Sequence, residues 1–135
     1  MELGQVVIAF HKTGKYIGEV TGVRPDVCTV RILAVLKHPM QGDLHNPKKV
    51  DVPFFHERKA LAYLEQANIP SNMVRPFDEE IPAYSSSLIE SVLDLYYELV
   101  SKQDDPFSQK SLEALKEIMK EYKYMYTIEW PNDLL

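Results

Sequence analysis

One cysteine, Cys28, stands in a chain of 135 residues, so no disulfide can close within it. A lone thiol suits a reducing compartment. Glycine is sparse too: the five glycines, at 4, 14, 18, 22 and 42, spell neither a P-loop nor a G-x-G-x-x-G phosphate cradle. The Gly-rich loop, HRD and DFG elements of a protein kinase are missing, as are G-x-S-x-G, H-E-x-x-H and C-x-x-C. No stretch approaches the roughly twenty apolar residues of a membrane-spanning helix. The opening residues, MELGQVVIAFHK, carry no basic region, and the apolar run at 6–10 is too short for a signal peptide. No small-residue cleavage site precedes the cysteine. We therefore expect no direct membrane insertion and no lipid anchor. The expected location is the cytoplasm, with any approach to the inner face of the membrane made through a partner. Positive charge is also short: 15 Lys and Arg against 20 Asp and Glu leave a net charge of −5. That balance argues against a general nucleic-acid binder, which needs clustered cations.

What is present suits one compact unit. A chain of this length buries roughly two-thirds of the surface its unfolded form exposes, enough to stand without metal or disulfide. Residues 5–12, 16–23 and 27–37 are rich in β-branched and aromatic residues, as strands are, and the second half of 27–37 is apolar enough to expect burial on both faces. Thr13-Gly14-Lys15 is the expected turn between the first two, with Gly14 supplying positive φ. Gly18 and Gly22 share a face with Tyr16 and Val20, which suggests a bend or a close backbone approach. Residues 48–55 give a fourth strand, with Val50, Val52 and Phe54 on one face and Pro53 marking an edge. Four or five short strands within about 55 residues fit a small SH3-like or OB-like barrel.

The second half reads as helical. Ala60, Leu61, Leu64 and Ala67 fall on one stripe and predict a bridging helix over 56–68. Pro70, Pro76 and Pro82 forbid a long element after it, so 69–84 is a connector anchored by Met73, Val74, Phe77 and Ile81. Ser87 with Glu90 three residues on forms a capping box for the next helix. Asp105 is then the N-cap and Pro106 the first residue of a last helix, which runs to about Tyr124 before an extended tail. Two helices with so short a link form a hairpin. The fold class is thus α+β: a small SH3-like β-barrel over 1–56, then a bridging helix and a C-terminal helical hairpin within 57–135.

Polar residues crowd into 37–63. His38, Asp43, His45, His56 and Glu57 include metal-ligand types, yet their spacing matches no ligand pattern we can place, and bonds tying a loop to the fold explain them better. Asp43 and Glu57 could act as an acid/base pair, but no activated nucleophile accompanies them. No cofactor is expected, and the chain is read as non-enzymatic; a metal-dependent hydrolase is the alternative. Lys12, Lys15, Arg24, Lys37, Lys48, Lys49, Arg58 and Lys59 make the first sixty residues the more basic. With Phe10 and Tyr16 as stacking rings, a nucleic-acid-binding barrel is a second alternative; a charged rim is the plainer reading. Tyrosines 96, 97, 122, 124 and 126 exceed one core stripe and divide between covering the core and forming an interface.

The stretch HPMQGDLHNP followed by FFHERKALAY, with KTGKYIGEV upstream, resembles the kinase-associated protein B family. The similarity covers most of the chain and is densest over 13–82. It favours a small barrel and implies an accessory protein that helps activate a membrane sensor histidine kinase, and through it the phosphorelay leading to sporulation. His38, Gln41, Gly42, Asp43, His45, His56 and Glu57 match the family-like stretch and are the candidate interface. No specific nucleic acid is expected as partner, and the sequence leaves the oligomeric state open.

Overall fold

The computed structural model describes residues 1–43, 45–52, 54–131 and 134. Five strands and two helices follow one another: β1 (Val6–His11), β2 (Gly14–Val23), β3 (Val27–Lys37), β4 (Gln66–Pro70), β5 (Val74–Pro76), α1 (Tyr84–Ser101) and α2 (Pro106–Tyr126), with a single 3-10 turn at Ser71–Met73. The class is α+β. The chain divides into two units, one formed by Met1–Pro39 with Ala60–Ser91, the other by Met40–Lys59 with Val92–Leu135.

The first unit is built on one antiparallel sheet in the order β4-β3-β2-β1-β5. Its core comes from alternate positions. Val7 and Ala9 of β1, Tyr16 and Val20 of β2, and Cys28, Val30, Ile32 and Ala34 of β3 are almost wholly buried. This period-2 burial is what pins the register, since a one-residue slip would turn each set outward. Cys28 packs as a small apolar side chain beside Ser71 Oγ, 3.9 Å away. The β2–β3 ladder is irregular at three places, around Lys15/Tyr16, Ile17/Gly18 and Val20/Gly22. At Gly18 the reason is close approach: a Cβ there would lie 2.4 Å from Val30 Cγ1 and 2.7 Å from the Arg31 carbonyl oxygen.

The expected barrel is corrected on two counts. The sheet is open, with β4 and β5 at its edges, and two of its five strands come from beyond residue 60. Residues 48–52 form turns and bends and 54–60 run irregularly, so the strand expected at 48–55 is not formed; Pro53 lies outside the described residues. The bridging helix over 56–68 is not formed either. Leu61 N–H donates to the Tyr16 hydroxyl (3.2 Å), and the Tyr84 hydroxyl donates to Leu61 C=O (2.6 Å). Leu64 then turns the chain in the left-handed region at φ 67, and Ile32 exchanges two backbone bonds with Leu64 and Glu65. From there β4 pairs with β3, placing Ile69 opposite Cys28 in the core. The four-residue apolar stripe was too short to outbid that pairing. Of the connector's expected anchors, Val74 is buried in β5 while Met73 and Ile81 are exposed.

The first hairpin also turns differently. Lys12 (φ 44) and Thr13 (φ 69), and not Gly14, take the positive φ values. Two consecutive left-handed residues suit the twist of a two-residue hairpin but cost energy for side chains other than Gly or Asn. Lys12→Asn is therefore expected to raise stability by about 0.5 kcal/mol, visible as a higher urea midpoint at unchanged m-value.

Helix α1 begins at Tyr84, three residues ahead of the expected cap. Ser87 lies inside its first turn, where the buried hydroxyl donates to Tyr84 C=O (2.8 Å) and accepts from Val35 N–H (3.0 Å). Ser87 is thus a strand anchor rather than a helix cap. In the second unit, α2 starts where the sequence places it: Asp105 caps Phe107 N–H and accepts from Ser108 Oγ, with Pro106 at the first position. Leu115, Ile118, Met119 and Tyr122 make its buried stripe. The helix closes at Thr127 in the left-handed conformation. The tail then folds back, with Trp130 Nε1 donating to Met119 C=O (2.8 Å) and Tyr96 OH donating to Leu134 C=O (3.2 Å).

Candidate functional site

The segment 40–59 of the second unit is organised by side chains standing in for a strand ladder. Gln41 bonds both backbone groups of Arg58: its Nε2 donates to Arg58 C=O (2.9 Å), and its Oε1 accepts from Arg58 N–H (2.7 Å). One residue on, Gly42 N–H donates to His56 C=O (2.9 Å), and Arg58 Nε returns to Gly42 C=O (3.2 Å). These bonds clip 41–42 against 56–58. Gly42 is required here twice over. Its φ is +101, and a Cβ would press on the Phe55 ring at 3.0 Å. Phe55 in turn packs against Phe107 of α2, ring centroids 5.8 Å apart, and carries the Lys110 ammonium 5.2 Å over its face.

The clip presents a polar turn. Asp43 accepts His45 N–H at Oδ1 (2.9 Å) and Asn46 Nδ2 at Oδ2 (3.0 Å), while its carbonyl accepts Asn46 N–H (3.1 Å). The Asn46 amide, then the His45 N–H, hold the Asp43 carboxyl below the usual carboxylate range. His45, His56 and Glu57 are exposed. His56 stacks on the exposed Phe54 ring at 5.8 Å. Glu57 joins Phe55, Lys110, Glu113, Ala114 and Glu117 around an open groove of about 420 Å³.

The seven candidate residues thus separate by environment. Gln41 and His38 are 4% and 1% exposed, and Gly42 is buried with them. His38 belongs to the first unit, where its Nδ1–H donates to Pro39 C=O (3.0 Å). Burial pushes the imidazole down to about 4, against the opposing pull of that carbonyl, so it is neutral at pH 7. Among the described residues no three of the His, Cys, Asp and Glu side chains gather as metal ligands would. Both Asp43 oxygens are taken up within its own turn. The stacking pair proposed for nucleic acid is not formed as a platform, since Tyr16 is 1% exposed. Tyrosines 96 and 122 are core residues, whereas Tyr97 and Tyr124 face solvent.

Sequence reasoning found this stretch by its unusual composition but missed Arg58, whose backbone is the other half of the clip. The signal available was Gln41 beside Gly42: a buried amide must find two partners, and a backbone peptide supplies both. Gln41→Ala strands the Arg58 peptide groups and is expected to cost about 2 kcal/mol. His45→Ala, at an exposed turn position, should stay within about 0.5 kcal/mol. Thermal melts of the two variants side by side check the contrast.

Among the described residues no helix is long and apolar enough to cross a membrane. A family model described as kinase-associated protein B matches residues 11–123. The chain is 51% identical over 121 residues to the kinase-associated lipoprotein B of Bacillus subtilis (strain 168), covering 90% of this chain and 94% of that protein. The crystal structure of kinase-associated protein B from Bacillus cereus is similar at a TM-score of 0.77 and 42% identity, covering 91% of this chain and 98% of the other. With the family model spanning most of its length and a relative identical at half the compared positions, the chain belongs to the kinase-associated protein B family.

Proposed function

We propose that the protein is a non-enzymatic accessory factor of a sensor histidine kinase, promoting the phosphorelay that leads to sporulation. Family membership supports the link to a kinase, and the site's construction supports docking over chemistry. The observation that carries this reading is the clip: a buried glutamine and glycine hold a turn that presents polar side chains, Asp43 and His45 among them. In this reading Asp43, His45, His56 and Glu57 make the contact. Gln41 and Gly42 fix the geometry behind them, and His38 serves the fold of the first unit. The segment 40–59 holds no Ser, Thr, Cys or Tyr for a base to activate. A surface of this kind acts by binding one state of its partner better than another, which is sufficient to shift that partner's activity.

The test is direct binding of the purified full chain to the cytoplasmic part of the sensor kinase, followed by kinase autophosphorylation with and without it. Saturable binding with a changed autophosphorylation rate supports the reading. A normal rate with no binding at high concentration removes it.

A further inference from the structure

Among the described residues, the sheet of the first unit carries three cations, Lys15, Lys37 and Arg75, that form no ion pair. Phe10 of β1 faces Lys15 across the β1–β2 ladder, and the Lys15 ammonium sits 5.7 Å from the ring centroid. The Arg75 guanidinium, from edge strand β5, approaches the same ring at 5.3 Å. Lys37, the last residue of β3, is the register partner of Lys15. Among the described residues, ion pairs form at Arg31, Lys59, Lys102 and Lys120, and at none of Lys15, Lys37 and Arg75. Like charges set directly opposite one another weaken a ladder. In a chain of net charge −5, composition does not force such a pairing. Two exposed cations, Lys37 and Arg75, and the half-buried Lys15 around a half-buried ring form a surface whose missing complement is an anion.

We infer that this basic sheet surface, centred on Phe10 with Lys15, Lys37 and Arg75, docks a short acidic segment of a partner protein. Charge complementarity fixes the sign of the occupant. Its class follows from what surrounds the patch. A single-stranded nucleic acid needs free aromatic faces in succession, but Phe10 is already engaged by two cations and Tyr16 is buried. The acidic run Asp78, Glu79 and Glu80 follows directly on β5, and Phe77 N–H is tied to Val6 C=O at 3.1 Å. Negative charge placed there in the sequence disfavours a long polyanion more than a segment with a few acidic side chains. The inference is independent of the kinase reading.

The experiment uses the full chain and a fluorescein-labelled oligoglutamate peptide, with a Gly-Ser peptide of equal length and an oligothymidylate of equal charge as comparators. Binding is followed by anisotropy at low and at physiological salt. The peptide is expected to bind above the Gly-Ser control, and the triple variant Lys15→Gln, Lys37→Gln, Arg75→Gln to weaken it by about tenfold or more. Lys37→Glu is the second variant: it places a carboxylate opposite Lys15, so it should melt no lower than the parent while losing affinity. Equal peptide affinity in the parent and the triple variant, no peptide binding at low salt, or tighter binding of the oligothymidylate would each overturn the proposal.

Discussion

Gly18→Ala is expected to destabilise the protein by about 3 kcal/mol, at the upper end of overpacking costs. The added methyl would sit 2.4 Å from Val30 Cγ1 and 2.7 Å from the Arg31 carbonyl oxygen. A side chain can swing away, but the carbonyl belongs to the β2–β3 ladder and moves only with the strand. Val30 is fully buried, so its rotamer has nowhere to go either. Gly22, three pairs along the same ladder, is the internal control. Its nearest neighbours to an added Cβ are Thr29 Oγ1 at 3.2 Å and Thr29 Cβ at 3.3 Å, so Gly22→Ala should change stability by less than about 1 kcal/mol. Urea unfolding of both variants reads the difference. Equal losses would mean that strand proximity at Gly18 is not what the sheet depends on.

The second large effect is acid lability carried by His38. Its folded pKa, depressed to about 4 by burial, lies below the ordinary value of 6.5. The unfolded chain therefore binds the proton first as pH falls. The contribution to stability is complete above pH 6.5 and is lost as pH drops through 4, amounting to about 3 kcal/mol over that window. His11 is shifted in the same direction, by burial first and by Lys12 second, and steepens the loss further. A His38→Gln variant keeps the His11 part and drops the rest. The stability gap between parent and variant should therefore narrow by about 3 kcal/mol from pH 7.5 to pH 4, whatever the variant's starting stability. A gap that stays constant with pH would show that His38 does not titrate in this window.

These two residues also show what the sequence could and could not convey. Gly18 was legible: two glycines on one face of a strand announce a close approach, and the structure has one at the first of them. Strand β3 was legible to the residue, because eleven β-branched and apolar-rich residues lie between two polar stretches, and the Asp105-Pro106 helix start was legible because its chemistry is local. The bridging helix failed for the opposite reason. Ala60, Leu61, Leu64 and Ala67 satisfy a helical period over only about two turns, while β4 shows almost no alternation, with Ile69 as its one buried anchor. What decides the matter is pairing with β3 and the Tyr16 and Tyr84 hydroxyls holding the Leu61 peptide, contacts far away in sequence. Ser87 misled similarly: its hydroxyl serves a strand amide fifty-two residues earlier. In the candidate site, composition singled out the stretch but could not separate buried His38 and Gln41 from exposed His45 and His56. That division depends on which side chains find backbone partners, and a pattern of residue types does not contain it.

In the proposed function, segment 40–59 docks a kinase through its exposed turn, with the buried clip as support. Titration calorimetry of the full chain against the cytoplasmic part of the sensor kinase, paired with thermal melts, tests this most directly. His45→Ala with Glu57→Ala, both exposed positions, should abolish the binding heat at an unchanged melting temperature, and Gln41→Ala should lower both. Undiminished affinity in the double variant would contradict the account.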